Sequence, residues 1–114
     1  MMRKKSLIIG GHRGIGKSIY INLKKRGDEV FCVSRSTIKK KNFITADITN
    51  KIDQDKISNF FKKIKIDNLI FAQRYRGDDS EEEYKVILKA TTNIIKNIKF
   101  KKTGSSIIIL GSIA

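Results

Sequence analysis

A short apolar run, Leu7-Ile8-Ile9, stops at Gly10-Gly11, and a helical period begins at Gly14. The run has the form of a buried parallel strand, which is apolar on both faces. Ile15, Ile19 and Leu23 then fall four apart, on one face of a helix. Lys24, Lys25 and Arg26 crowd its end, where cations suit the helix dipole, and Gly27 stops it. A strand that enters a helix through a glycine turn constrains everything after it. The next strand has to return parallel to the first, with helices covering the sheet.

The rest of the chain follows that rule. Residues 29–34 (Glu-Val-Phe-Cys-Val-Ser) read as a second strand rich in β-forming residues, and residues 43–46 as a third. Only residues 36–41 lie between these two, too few for a helix, so a loop joins them. Residues 50–64 read as a helix with Ile52, Ile57, Phe60, Phe61 and Ile64 inward. Residues 68–72 form strand four. Ser80, with Glu83 three residues on, opens a further helix that buries Ile87, Ala90, Ile94 and Ile98. Gly104 breaks it, and residues 106–110 form strand five. The expectation is one α/β domain over residues 1–114, a doubly wound parallel sheet of five strands, incomplete at its C-terminal edge.

Several function classes drop out. No apolar run approaches the ~20 residues of a membrane span, and the basic start of the chain meets glycines before a signal-peptide core can form. The one cysteine, Cys32, allows no disulfide framework, so the expected location is the cytoplasm. A net charge of +14 raises the question of nucleic acid. The lysines recur along the whole chain, however, and Ile and Asn are abundant too. That pattern is read as AT-rich codons filling permissive surface positions rather than as a nucleic-acid surface.

The chemistry concentrates at Gly10-Gly11-His12-Arg13-Gly14-Ile15-Gly16, between strand one and helix one. Glycines there let the backbone turn tightly and approach a pyrophosphate, and the helix N-terminus offers amide donors. The spacing Gly-x-x-x-Gly-x-Gly resembles that of the short-chain dehydrogenase/reductase family. Such a likeness implies a Rossmann-like fold and a nicotinamide dinucleotide cofactor. It also implies hydride transfer to or from a carbonyl or hydroxyl substrate, whose identity the sequence does not specify. In that family the end of strand two separates NAD from NADP. An acid there takes the ribose hydroxyl, whereas a base takes the extra phosphate. This chain has Ser34-Arg35 at that position, with Arg13 a second base, so NADP is expected ahead of NAD.

The resemblance continues in chain order. Asp47, followed by Ile48, matches the family's adenine-contacting Asp after strand three; read alone, it would cap the helix starting near Asn50. After strand four, Phe71-Ala72-Gln73-Arg74 stands where the family has Asn-Asn-Ala-Gly, which leaves backbone contacts, at Ala72, in place of the family's side-chain ones. Ile87 stands where the family places a relay Asn. Leu110-Gly111-Ser112 resembles the end of strand five that carries the catalytic Ser, so Ser112 is a candidate by position alone. The family's Tyr-x-x-x-Lys motif would lie downstream. The one occurrence here, Tyr20 to Lys24, is on helix one and is expected to be structural. His12 is read as a loop residue, and no metal-ligand spacing is visible.

The sequence therefore predicts an NADP-binding portion of an oxidoreductase, without a complete catalytic set. Two alternatives stand beside it: a non-catalytic remnant of a split or truncated gene, and a basic nucleic-acid-binding domain. Self-association through the apolar edge of strand five is a further expectation.

Overall fold

The protein is seen in a computed structural model that describes residues 3–10, 14–72 and 81–110, without the side chains of 81–84. In chain order the elements are β1 (Lys5–Ile9), α1 (Gly14–Arg26), β2 (Glu29–Ser34), β3 (Phe43–Thr45), α2 (Lys51–Phe60), β4 (Lys65–Ile66), β5 (Asn68–Phe71), α3 (Glu81–Asn97), β6 (Lys99–Phe100) and β7 (Ser106–Ile109). Five strands form an all-parallel sheet in the order β3-β2-β1-β5-β7. The two short strands β4 and β6 pair with each other in a small parallel ribbon. The predicted fold class is the observed one, and the link from β2 to β3 carries no helix.

Alternation along the strands sorts side chains into two layers. Leu7, Ile9, Phe31, Val33, Leu69 and Phe71 face α2 and α3, where they meet Ile57, Phe61, Ala90, Ile94 and Ile98. Ile8, Val30, Cys32 and Ile70 face the other way, toward Ile19, Tyr20 and Leu23 of α1. Burying an aliphatic side chain of this size contributes roughly 1.5–3 kcal/mol, so the larger layer dominates the fold's stability. Gly27 has φ +99°, a left-handed turn that suits glycine and closes α1.

The structure corrects several sequence readings. α2 ends at Phe60 rather than Ile64, and Asn50 caps it by accepting the N–H groups of Ile52 and Asp53. Ile52 is 77% exposed and Phe60 45%, so neither belongs to the buried face. Ile57 and Phe61, one turn apart, define that face, and at 100° per residue Ile52 stands about 140° away from Ile57. Ile15 keeps the predicted face of α1 but sits in its first turn, beside the loop, where it is 67% exposed. Ile87 is half-buried, whereas Ala90, Ile94 and Ile98 are buried as expected. Ser80 lies outside the described residues.

Candidate functional site

The carboxyl ends of the strands are aligned by their hydrogen bonds. The N–H of Gly10 donates to Val33 O at 2.7 Å, Ala46 N–H to Ser34 O at 2.8 Å, and Ala72 N–H to Ile9 O at 2.9 Å. Gly10, Ser34, Ala46 and Ala72 therefore share one edge of the sheet. The order β3-β2-β1-β5-β7 reverses its winding between β1 and β5. In open α/β sheets the crevice beyond the carboxyl ends at such a reversal is where ligands bind. The glycine segment leaves β1 at that crevice.

Its backbone shows why glycine occupies it. Gly10 has φ +91° and Gly14 φ +54°, both in the left-handed region. Among the described residues, a Cβ built at Gly14 meets nothing within 4 Å. Gly16 is buried in α1. A turned backbone and the amino end of a 13-residue helix are features that suit a pyrophosphate. Gly11, His12, Arg13 and Ser112 lie outside the described residues. Ile15 stands exposed at the helix start.

The residues beyond β2 and β3 gather beside this turn. Ser34 is buried, and its Oγ accepts the N–H of Ser36 at 3.1 Å, which turns the chain so that Arg35 is exposed. Asp47 does not cap α2; Asn50 does. Asp47 Oδ1 instead accepts the N–H and the hydroxyl of Thr49 at 3.0 and 2.7 Å. Those bonds, with the nearby Arg35 guanidinium, hold the Asp47 carboxyl below its ordinary pKa and keep it ionised. Ile48 is buried in the core, and its carbonyl accepts Gln54 Nε2 at 2.7 Å, so its side chain cannot reach a ligand at the edge.

Sequence reading missed the supports of this corner. Asp53, on the first turn of α2, accepts the Asp47 N–H at 2.8 Å and fixes the turn. The available signal was Asp53 placed three residues after the cap Asn50, a capping-box spacing. Tyr20 behaves as expected of a structural residue. Its ring packs edge-on against Phe43 at 5.3 Å, and burial raises the phenol's pKa, the opposite of what a general acid near neutrality requires. A separate groove runs between α2 and α3, lined by Thr49, Lys51, Gln54, Val86, Lys89 and Asn93. None of the predicted cofactor residues lines it. No group of metal-ligating side chains occurs among the described residues.

Fold and edge together define a doubly wound, Rossmann-like α/β domain with its glycine turn at the switch point. Solved structures of short-chain dehydrogenases share this architecture. A short chain dehydrogenase family protein from Francisella tularensis superposes with a TM-score of 0.75 at 25% identity, over 97% of this chain and 52% of that one. A short chain dehydrogenase from Leptospira borgpetersenii, solved with bound NAD+, gives 0.67 at 24% identity, over 85% and 45%. The 3-alpha-hydroxysteroid dehydrogenase of a Pseudomonas species, complexed with NADH, gives 0.71 at 15% identity, over 96% and 48%. This chain thus spans about half the length of these proteins. Its fold is that of the Rossmann-like portion of short-chain dehydrogenase/reductase structures. No protein-family profile matches the chain, and no curated protein matches it by sequence. Among the described residues, no helix is long and apolar enough to cross a membrane.

Proposed function

We propose that residues 1–114 form one nucleotide-binding domain, working in the cytoplasm, that holds NADP at the carboxyl edge of the sheet. The carrying observation is the left-handed turn at Gly10 and Gly14, at the switch point where β1 enters α1, with Arg35 just past the end of the neighbouring β2. Gly10, Gly11, His12, Arg13, Gly14, Ile15 and Gly16 would surround the pyrophosphate. Asp47 and the backbone at Ile48 and Ala72 would flank adenine and ribose. Bound there, the dinucleotide supplies a hydride donor or acceptor for a carbonyl or hydroxyl substrate. Arg35 and Arg13 would take the 2′-phosphate through forked, charge-assisted hydrogen bonds. Asp47, kept anionic, repels that phosphate and so helps confine it to the arginine side. Ser112 is the residue that would orient a substrate carbonyl in the whole fold, and residues 1–114 alone bind cofactor without turnover.

One partly desolvated contact of this kind contributes ~1.5–3 kcal/mol, or about ten- to hundredfold in affinity. Fluorescence titration with NADPH and NADH tests the assignment. NADPH should bind ten- to hundredfold more tightly, and Arg35→Asp should abolish or reverse the preference. Equal affinities, or an Arg35→Asp protein that still prefers NADPH, would refute it. Oxidation of NADPH by residues 1–114 with a carbonyl panel would refute the binding-only reading if turnover vanished in Ser112→Ala. The same reading includes self-association through β7, whose outer edge carries Ile107, Ile108 and Ile109 at 45–59% exposure.

A further inference from the structure

Basic residues that are spread evenly in sequence are not spread evenly in space. Four segments, residues 3–5, 24–29, 62–67 and 96–102, lead into β1, β2, β5 and β7 at the amino end of the sheet. Hydrogen bonds tie them together. Arg3 Nε donates to Gly27 O at 3.0 Å, Lys5 N–H to Asp67 Oδ2 at 2.8 Å, and Lys101 N–H to Ile66 O at 3.2 Å. These segments hold thirteen of the 25 Lys and Arg but only three of the eleven acids. Each of the three acids already faces a base: Asp28 with Arg26 at 2.6 Å, Asp67 with Lys101 at 3.1 Å, and Glu29 with Lys5 at 3.7 Å. Ten positive charges are therefore in excess at one end of the molecule. The remainder of the chain carries twelve bases and eight acids, an excess of four. The proposed cofactor edge is at the opposite end.

We propose that this amino-end face binds the phosphate backbone of nucleic acid, by charge and without reading sequence. The bases stand on segments that lead into four neighbouring strands, β2-β1-β5-β7, a stretch of sheet end about 14 Å wide at ~4.8 Å per strand. Lys62, Lys63, Lys99 and Lys102 are exposed there. Such a rigid, single-sign array concentrates a polyanion through counterion release. An anionic bilayer is the poorer fit. Interfacial anchoring needs an apolar face to enter the headgroups. Among the described residues, the exposed large hydrophobic residues beside this end are Phe60 at the end of α2 and Ile107 at the start of β7, too few to make such a face.

The test is fluorescence anisotropy with a labelled duplex of ~20 base pairs, about two helical turns, titrated with the intact chain at several salt concentrations. If about half of the ten excess bases engage, five phosphates give a slope of log K against log salt near −4.5. Changing Lys62, Lys63, Lys99 and Lys102 together to Glu should weaken binding at least about a hundredfold and flatten the slope by roughly 3–4. A variant of equal charge change toward the other end, Lys17, Lys51, Lys56 and Lys89 to Glu, should lose no more than about fivefold, through the longer-range field alone. Acetylation footprinting of the unaltered protein gives the same answer without a variant. Duplex should protect Lys62, Lys63, Lys99 and Lys102 and leave Lys17 and Lys89 reactive. Equal losses in the two variants, or uniform protection, would show that net charge and not placement drives binding. Absence of binding near 0.1 M salt, or capture by phosphatidylserine vesicles but not by duplex, would equally overturn the proposal.

Discussion

Replacing Asp28 by alanine removes the acceptor at the centre of a hydrogen-bonded row that crosses the amino end of the sheet. Asp28 Oδ1 accepts Arg26 Nε at 3.0 Å, and Oδ2 accepts Arg26 Nη2 at 2.6 Å and the Ser6 hydroxyl at 3.0 Å. Ser6 in turn accepts Asn68 Nδ2 at 3.1 Å, and Asn68 Oδ1 accepts the Ser106 hydroxyl at 2.7 Å. Ser6 is fully buried, so losing its acceptor costs ~1–3 kcal/mol. The Arg26 side chain is 52% exposed, and water screens that pair to about 0–1 kcal/mol. Asp28→Ala should therefore cost about 1–4 kcal/mol, a large share of the 5–15 kcal/mol expected of such a domain, measured by urea unfolding. Arg26 hydrogen bonding, helped by Ser6, holds the Asp28 carboxyl below its ordinary pKa against the effect of burial. A depressed native pKa means stability that is present above the unfolded value near pH 4 and lost as pH falls through the native one. The gap between wild type and Asp28→Asn should shrink as pH falls below 4. A loss under 1 kcal/mol for Asp28→Ala, or a gap unchanged between pH 7 and about 2.5, would refute the reasoning.

Asn50→Ala removes the acceptor for the Ile52 and Asp53 N–H groups and should cost ~1 kcal/mol in urea unfolding, with no change in the m-value. Cys32 is fully buried, and its thiol is pushed up to about 12 by desolvation, so it should resist iodoacetamide at pH 8 until urea unfolds the sheet. Ile108→Lys, at a 45% exposed edge position, should lower light scattering sharply while leaving the melting temperature nearly unchanged.

The main sheet was legible in sequence because burial on both faces writes itself as unbroken apolar runs. Residues 7–9, 30–33 and 69–71 are such runs, and the small residues Gly10, Ser34 and Ala72 follow them at the carboxyl edge. β4 and β6 were not legible. At two residues each they have no period to detect, and they exist because α2 and α3 deliver Lys65 and Lys99 side by side. The inward face of α2 was misread for a related reason. Five apolar residues in a short segment over-fill one face, and only tertiary packing decides that Ile57 and Phe61 go in while Ile52 stays out.

At the cofactor edge, what was legible is what the backbone requires. Gly10 and Gly14 mark left-handed conformations that other residues strongly disfavour, so their spacing survives as a readable sign. Arg35 was legible because register fixes which residue follows the last one in β2. Asp53 was not, since its contact with the Asp47 N–H depends on how a helix start folds back over a strand end. The basic face shows the same principle at the scale of the whole fold. In a parallel sheet every helix-to-strand turn falls at one end, so residues some 20 to 40 apart in sequence become neighbours there. Three or four bases placed in each such turn and in the entry to β1 look evenly spread along the chain and are concentrated in space, which is how thirteen bases on four segments escape any search for a basic block.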